Sequence, residues 1–288
     1  MSEKGTRRGF LRSTALGSIA AGFGAGTARG DIPVGWMMSG AGSSVSSIDT
    51  RKVLLYECTR REIRERLAAG SLTAAIVPTS STEQHNEHLA MCMDAAAALL
   101  VSQTAALRLY PRVIVTTPVN VGVSPHWMNR KGTLTLRKET FQAVMYDICD
   151  SLRIHGFKTI LVVNGHGGNT APLKEKVAEF REKLGIAFDV CSYWDSFPQD
   201  RKKDFTDSGD IPGHSGEFET SIALAAFPDR VRHRGIVYDP SVLNLPEAEL
   251  KADKNLFEEA KLATAEKGER IIGHASAWVA EKLSGMMG

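Results

Sequence analysis

Apolar positions along the chain follow two alternating patterns. Short, nearly continuous apolar runs predict strands that are buried on both faces of a sheet, at 74–78, 113–117, 159–163 and 187–193. Between and after these runs, apolar residues recur with a helical period, at 95–109, 137–155, 171–184, 216–226 and in helices from residue 246 onward. The clearest helix, 137–155, carries Phe141, Met145 and Leu152 on one stripe and is followed by Gly156, a residue type that commonly ends a helix.

Strands that alternate with helices favour an α/β fold. Its sheet should be parallel or mostly parallel, with helices covering both faces. In folds of this class, ligands bind at the carboxyl ends of the strands. We expect one globular domain over residues 51–288.

Composition and charge narrow the class of protein. The chain has 288 residues, of which 43% are hydrophobic and 24% charged, which excludes collagen-like, low-complexity and disordered classes. The net charge of +2 comes from the first 30 residues, because the remainder carries 30 basic and 32 acidic side chains. This balance offers no basic footprint for nucleic acid, so the expected partner is a small-molecule substrate.

The N-terminal 30 residues predict an export signal. Arg7 and Arg8 form a twin-arginine pair, which is followed by a small-residue apolar stretch at 13–26 and a small-residue site near Ala28. This resembles a bacterial Tat signal, with a disordered basic tail as the alternative. The stretch is too short and too rich in Gly and Ala to span a bilayer stably. We therefore expect a periplasmic protein without a membrane span once the signal is removed, beginning with a flexible Gly- and Ser-rich lead-in at 31–50.

Four cysteines are widely spaced, without a Cys-x-x-Cys pair, at Cys58, Cys92, Cys149 and Cys191. This spacing excludes a zinc ribbon and a thioredoxin-like motif. We predict four buried thiols.

Metal-type ligands follow the predicted strands in three loops. The first loop contains Glu83 and His85, with Asp94 at the start of the next helix. The second loop, Asn-Gly-His-Gly-Gly-Asn at 164–169, follows a buried strand. Its glycines allow a sharp turn that directs the His166 imidazole toward the mouth of the site. The third enters a helix at 214–221 and contains His214, Glu217 and Glu219. Carboxylates and imidazoles suit Zn, Mn or Fe.

Each loop has another interpretation when it is taken alone. The first could be an ordinary surface loop, and the second could hold a phosphate at a helix N-terminus, although it lacks the Lys and Ser/Thr of a P-loop. Glu217 and Glu219 could be acids favoured by the helix dipole. Because three strand-end loops of one domain all carry such ligands, a metal site is favoured.

Together the motifs resemble the creatininase (creatinine amidohydrolase) family. The chain matches its Glu-Gln-His at 83–85, an Asp eleven residues after that Glu, the loop at 164–169, and His-x-Gly-Glu-x-Glu-Thr-Ser at 214–221, and segment 122–136 is also similar. The resemblance implies a three-layer αβα sandwich, two divalent metal ions (Zn, Mn or Fe) per site, and hydrolysis of a small substrate. It also implies a homo-oligomer, commonly a hexamer.

The resemblance also implies roles for individual residues. The expected metal ligands are Glu83, His85, Asp94, His166 and Glu219, with Asp94 as the bridge between two ions. Some members carry a Glu at the position of Gly168, and Glu219 is expected to take its place. His214 matches a proton-shuttling histidine, with a capping role as the alternative, and Glu217 is the second catalytic candidate. The expected substrate-binding residues, which could equally serve packing, are His126, Trp127 and Trp194.

The chain departs from the family pattern at two places beside the expected substrate mouth. Asn86-Glu87 stands where Gly-Pro is common, and Arg130-Lys131 where Phe-Pro often occurs. Mouth residues set the substrate while the metals set the reaction type, so creatinine itself is not predicted.

Three functions remain open. The first is hydrolysis of a C–N (amide) bond in a small, cyclic substrate by a metal-activated water. The second is hydrolytic ring opening of an oxidised cyclitol or keto-sugar at the same site. The third is an exported metal- or carbohydrate-binding protein without turnover. The presence of His214 beside a full ligand set argues against the third.

Overall fold

A computed structural model describes residues 51–232 and 243–288, so the predicted signal and lead-in lie outside the described residues. The strands are β1 (Ala74–Thr79), β2 (Val113–Val115), β3 (Thr159–Asn164) and β4 (Ala187–Ser192). The helices are α1 (Arg60–Ala68), α2 (Met93–Arg108), α3 (Lys138–Ile154), α4 (Thr170–Leu184), α5 (Glu217–Ala226), α6 (Glu247–Ala260) and α7 (Ala265–Met287). The predicted α/β fold is confirmed, and the described strands coincide with the four apolar runs.

The sheet is parallel throughout, with the strand order β2-β1-β3-β4. One face packs on α3 and α4 through alternate strand residues such as Val77 and Val162, which contact Phe141 and Met145 in a single core. The other face is covered by α2 and α7. The three-layer αβα arrangement follows, because strands buried on both sides need a helix layer on each.

The chain changes direction across the sheet at β1. From β1 it moves outward to β2, and it then returns to place β3 on the other side of β1. In open α/β sheets, a crevice for ligands forms at the carboxyl ends of strands where the order reverses. The final residues of β1 and β3, Thr79 and Asn164, are paired in register, so the loops that follow them start side by side.

Helix α1 lies outside the sequence prediction. It is closed at its start by a capping box, in which the Thr59 hydroxyl accepts from the backbone N–H of Glu62 and the Glu62 carboxylate accepts from the backbone N–H of Thr59. Only a partly buried pair, Ile63 and Leu67, joins the core. With nine residues, most of them charged, α1 has too few apolar positions for a helical period to stand out in the sequence.

The cysteine prediction is half correct. Cys149 and Cys191 are buried, whereas Cys58 and Cys92 are half-buried, and all four are free thiols. Cys58 lies just before α1 and Cys92 caps α2, where chain ends between elements retain some exposure to solvent.

Within the described ranges, no helix combines the length and the apolar character that crossing a bilayer requires. The structure contains one chain, so the homo-oligomer stays a prediction.

Helices α5 and α7 approach each other at a glycine. A Cβ atom added to Gly268 of α7 would lie 2.0 Å from the backbone oxygen of Ser221 on α5. The same helix contains Gly273, around which a Cβ would meet nothing within 4 Å. The backbone contact at Gly268 therefore sets how closely α7 packs on α5.

We expect Gly268→Ala to lower the free energy of unfolding by about 1–3 kcal/mol, the usual cost of overpacking, although alanine favours helix. Gly273→Ala is the matched control and should raise it by about 0.5–1 kcal/mol through helix propensity alone. Urea unfolding followed by circular dichroism measures both. Equal stabilisation by the two substitutions would contradict the close contact.

Candidate active site

The residues of the predicted metal site converge beyond the carboxyl ends of β1 and β3. Glu83 and His85 lie in the loop after β1, and His166 lies in the loop after β3. Asp94 and Glu219 come from the first turns of α2 and α5. All five side chains are at most 6% exposed as residues, so the strand order and two helix starts bring five ligand-type groups into one buried cluster.

Asp94 lies at the centre of this cluster. Its Oδ1 is 3.1 Å from Nε2 of His85, and its Oδ2 is 3.1 Å from Nδ1 of His166. Each oxygen of one carboxylate thus faces a different imidazole. This is the arrangement expected of a carboxylate that bridges two metal ions.

The remaining carboxylates complete two sets of ligand atoms around Asp94. Oε1 of Glu83 is 3.2 Å from Nδ1 of His166, and Oε2 of Glu219 is 3.5 Å from Nε2 of His85. The ligand atoms of His85, Asp94 and Glu219 all lie within 4.8 Å of one another. Glu83 and Asp94 therefore both lie beside His166, and Asp94 and Glu219 both lie beside His85.

Two atoms of the cluster show that the residues fit metal ions. Nε2 of His85 and Oδ2 of Asp94 are buried and make no hydrogen bond, although unpaired buried polar atoms are costly. Each lies 3.1 Å from a cluster residue without the geometry of a hydrogen bond, as expected of atoms aimed at a cation. Nitrogen and carboxylate ligands suit Zn, Mn and Fe.

The pKa values of the cluster reflect its excess of buried carboxylates. Burial opposes the charge on His85, yet the carboxylates of Asp94 and Glu219 raise its pKa to about 10. His166 behaves alike, since Asp94 and Glu83 outweigh burial and raise its pKa to about 10. Burial is the main cause that raises the pKa of Glu219 to about 8. Positive charge, carried by protons on the histidines or by metal ions, therefore offsets the buried carboxylates.

Gly168 explains why the last carboxylate comes from α5. A Cβ atom at this position would lie 2.1 Å from the backbone oxygen of Val123 and 2.5 Å from Nε2 of His166. No side chain fits there without moving the backbone. Glu219 reaches the cluster from the opposite wall, where the backbone N–H of Ser215 donates to its Oε2 at 2.6 Å.

Two hydroxyl groups that the sequence reasoning missed hold the ligands in place. Ser124 donates to Oε2 of Glu83 at 2.8 Å and lies 3.0 Å from Nε2 of His166. Its oxygen is also 2.6 Å from that of Ser81. Serine hydroxyls follow no spacing rule; the location of Ser81 just after β1 is a weak sequence signal, and Ser124, far beyond the end of β2, has none.

His214 lies on the wall of the cluster. Its Nε2 accepts from the side-chain nitrogen of Gln84 at 2.9 Å, and its Nδ1 is 3.7 Å from Oε1 of Glu83. Burial and the neighbouring His85 hold the pKa of His214 well below its ordinary value. The ring is therefore neutral near pH 7, with Nδ1 turned toward the metal ligands.

A cavity of about 350 Å³ opens above the ligands, and its wall includes all three residues predicted to bind substrate, namely His126, Trp127 and Trp194. The Trp127 ring stacks on His214 with centroids 4.6 Å apart. His126 lies parallel to His166 at 6.0 Å, and its ring nitrogen is close enough to Glu83 and His166 to share an ion with them. The cavity suits a small molecule.

The structure does not bring Glu217 to this cavity, which corrects its prediction as a catalytic residue. Its carboxylate accepts from the backbone N–H groups of Asp207 and Ser208 at 2.9 and 2.8 Å and pairs with Lys267 of α7 at 2.5 Å. On a helix, residues two positions apart point in nearly opposite directions. With Glu219 facing the ligands, Glu217 faces away and fastens the loop before His214 to α7.

Comparison with known proteins agrees with this geometry. Residues 56–283 match the creatininase family model, described as creatinine amidohydrolase. The chain is 28% identical over 247 residues to creatinine amidohydrolase of Pseudomonas putida, covering 77% of this chain and 93% of that protein. It is 26% identical over 211 residues to the 3-dehydro-scyllo-inosose hydrolase of Thermotoga maritima, covering 71% and 66%. It is 26% identical over 224 residues to the mycofactocin precursor peptide peptidase of Mycolicibacterium smegmatis, covering 72% and 83%.

Solved structures show the same likeness. A crystal structure of creatinine amidohydrolase has a TM-score of 0.70 and 28% identity, covering 81% of this chain and 97% of that one. A Zn-Zn type creatininase variant has a TM-score of 0.69 and 27% identity, with coverage of 81% and 97%. A manganese creatininase has a TM-score of 0.65 and 26% identity, with coverage of 80% and 97%. With its buried ligand cluster and a family match from residue 56 to 283, the chain belongs to the creatininase family of metal-dependent amidohydrolases.

Proposed function

We propose that the protein hydrolyses a C–N (amide) bond of a small, cyclic substrate with the help of two divalent metal ions, for which Asp94 would be a shared ligand. The observation that carries this proposal is the Asp94 carboxylate, whose two oxygens each lie 3.1 Å from a different buried histidine. The small cavity above it limits the size of the substrate. Similarity to creatinine amidohydrolase supports an amide substrate.

Glu83, Asp94 and His166 would hold one ion, and His85, Asp94 and Glu219 would hold the other. The nitrogen and carboxylate ligands fit Zn, Mn or Fe, and relatives with Zn-Zn and Mn support the first two. Bound ions of this kind lower the pKa of a water molecule and polarise a carbonyl group. The protein supplies a buried, fixed set of ligands, with Ser124 orienting Glu83 and His166.

His214 is the proposed site of proton transfer, at Nδ1. In the structure, the oxygen of the Gln84 amide accepts from the backbone N–H of Asn86 at 2.9 Å, so its NH₂ group faces Nε2 of His214. The ring then carries its proton on Nδ1. Nδ1 can give this proton to the leaving nitrogen and regain one from the hydroxyl group that the attacking water has added to the carbonyl carbon.

Ring opening of an oxidised cyclitol is the second candidate function. The inosose hydrolase of Thermotoga maritima, 26% identical over 211 residues, supports it. The same ligands and His214 would serve: water would add to one ketone carbon, the adjacent ring C–C bond would break, and the carbon released as the enolate of a second carbonyl group would take the proton from His214. Trp127, Trp194 and His126, on the cavity wall, would select between the two.

Metal content tests the proposed ligand set. Elemental analysis of protein reconstituted with Zn or Mn without chelators should give about two ions per chain in the wild type. Asp94→Ala should lose most of this metal, because it removes a ligand to both ions. His214→Asn is the matched control and should keep the full complement. Wild-type protein that binds no metal tightly after reconstitution would rule out the proposed mechanism.

Substrate profiling tests the reaction. Metal-loaded protein is assayed with creatinine and other cyclic amides, with oxidised cyclitols and with short peptides. We expect turnover of a cyclic amide, and His214→Asn should lower kcat by about 10²–10⁴-fold, the usual contribution of a positioned acid or base. Full activity of His214→Asn would disprove the proton-transfer role. Metal-loaded protein that binds these compounds but turns over none would favour the binding-protein alternative.

We also propose that the protein is exported in folded form through the Tat pathway, on the strength of Arg7 and Arg8 in the N-terminal sequence. Replacing both, by Arg7→Lys and Arg8→Lys, should retain the protein in the cytoplasm, since the arginine pair is what the pathway reads. Fractionation of cells that produce the full chain measures this. Equal periplasmic amounts of wild type and variant would contradict export by this route.

A further inference from the structure

We infer that Asp253 of α6 is a positioning residue for His214, acting through two chains of contacts. One chain runs from its carboxylate through Arg130 to Trp127, and the other runs from its backbone oxygen through Asn86 to Ser215. The inference rests on the proposed function for what His214 does. The contacts themselves are independent of that function.

The first chain of contacts begins with a buried ion pair. Nη2 of Arg130 donates to both carboxylate oxygens of Asp253, at 2.9 and 3.1 Å, and the two side chains are 8% and 5% exposed. The guanidinium carbon lies 4.6 Å from the centre of the Trp127 ring. Trp127 in turn stacks on His214 at 4.6 Å. The position of the His214 ring thus depends on where α6 holds Arg130.

Further hydrogen bonds of Arg130 hold the Arg130–Asp253 ion pair in place. Arg130 also donates from Nη1 to Glu249 of α6 at 2.8 Å and to Asn129 at 3.0 Å. Breaking a buried pair leaves an uncompensated charge, which is strongly unfavourable. A guanidinium fixed by four hydrogen bonds is a rigid surface for Trp127 to rest on.

The second chain of contacts holds the backbone beside His214. The side-chain nitrogen of Asn86 donates to the backbone oxygen of Asp253 at 3.2 Å and to Oγ of Ser215 at 3.0 Å. Asn86 and Ser215 both adopt positive φ angles, of 54° and 51°. Residues other than glycine rarely adopt this conformation, so it depends on contacts of this kind. Ser215 directly follows His214.

The residues that contact Asp253 in the two chains, Arg130 and Asn86, are far apart in the sequence. Asn86 lies in the loop after β1, and Arg130 lies in the segment between β2 and α3. The two residues are 44 positions apart in the sequence and meet at one residue, Asp253. We conclude that Asp253, Arg130 and Asn86 act together to fix the mouth of the cavity and the His214 ring on its wall.

The position of the His214 ring can be measured without a substrate. In zinc-loaded protein labelled with ¹³C-histidine, the ring Cε1–H signal of His214, assigned by its loss in His214→Asn, is shifted by the stacked Trp127 ring. We expect Asp253→Asn and Arg130→Lys to move this signal, because each disrupts the hydrogen bonds from Nη2 of Arg130 to the two carboxylate oxygens of Asp253. Asn86→Gly, which tolerates the positive φ, should also move it through the second chain.

The matched control is Asp189→Asn. Asp189 also pairs with two cations, Lys282 at 2.7 Å and Arg181 at 2.8 Å, and it is absent from the cavity wall. Its variant should leave the His214 signal unchanged. Metal content should equal that of the wild type in every variant, because none of these residues is a proposed ligand.

Activity supplies the second measurement. On a substrate that the wild type turns over, Asp253→Asn and Arg130→Lys should lower kcat by up to about 100-fold, as expected for a misplaced catalytic group, with little change in KM. An unmoved His214 signal in Arg130→Lys and Asn86→Gly would overturn the inference, even if Asp253→Asn failed to fold. If the wild type turns over nothing, the proposed function fails while the signal still tests the positioning role.

Discussion

The site depends on an electrostatic constraint, because three carboxylates are buried together in one small volume. Glu83, Asp94 and Glu219 are each at most 6% exposed, and buried like charges repel unless cations lie among them. Protonated His85 and His166, with pKa values raised to about 10 by these carboxylates, meet this need when no metal is bound. Since histidine binds metal in its deprotonated form, metal binding displaces those protons. Either bound metal ions or protons on the two histidines can therefore supply the positive charge that offsets the buried carboxylates.

The topology of the sheet allows so many charged groups to meet. The order β2-β1-β3-β4 places β3 beside β1, so that loops separated by some 80 residues of sequence begin at paired residues, Thr79 and Asn164. Apolar residues cover the two faces of the sheet, and the polar residues of the site lie at this one edge. The core and the site are thus produced by the same pairing of strands.

Much of this could be predicted from the sequence, because strands buried on both faces leave continuous apolar runs and the loops after them carry unusual residues. The same reasoning could not separate Glu217 from Glu219 until the helix was in place, since only one of them can face the cavity. Ser124 was missed because a hydroxyl group acquires its role only from what lies beside it. Asp253 was missed because its partners, Asn86 and Arg130, are more than 120 positions away, and a buried pair of that separation leaves no local pattern.

Helix α7 has a consequence for how the site is made during protein synthesis. Both helices that carry proposed carboxylate ligands, α2 with Asp94 and α5 with Glu219, pack on α7, and α7 is formed by Ala265–Met287 at the end of the described chain. Domains fold as units while the chain emerges from the ribosome. All five proposed ligands, within residues 83–219, are therefore synthesised before α7. Two of them belong to helices that pack on α7. A chain interrupted before residue 265 would contain every proposed ligand but lack the helix on which α2 and α5 pack.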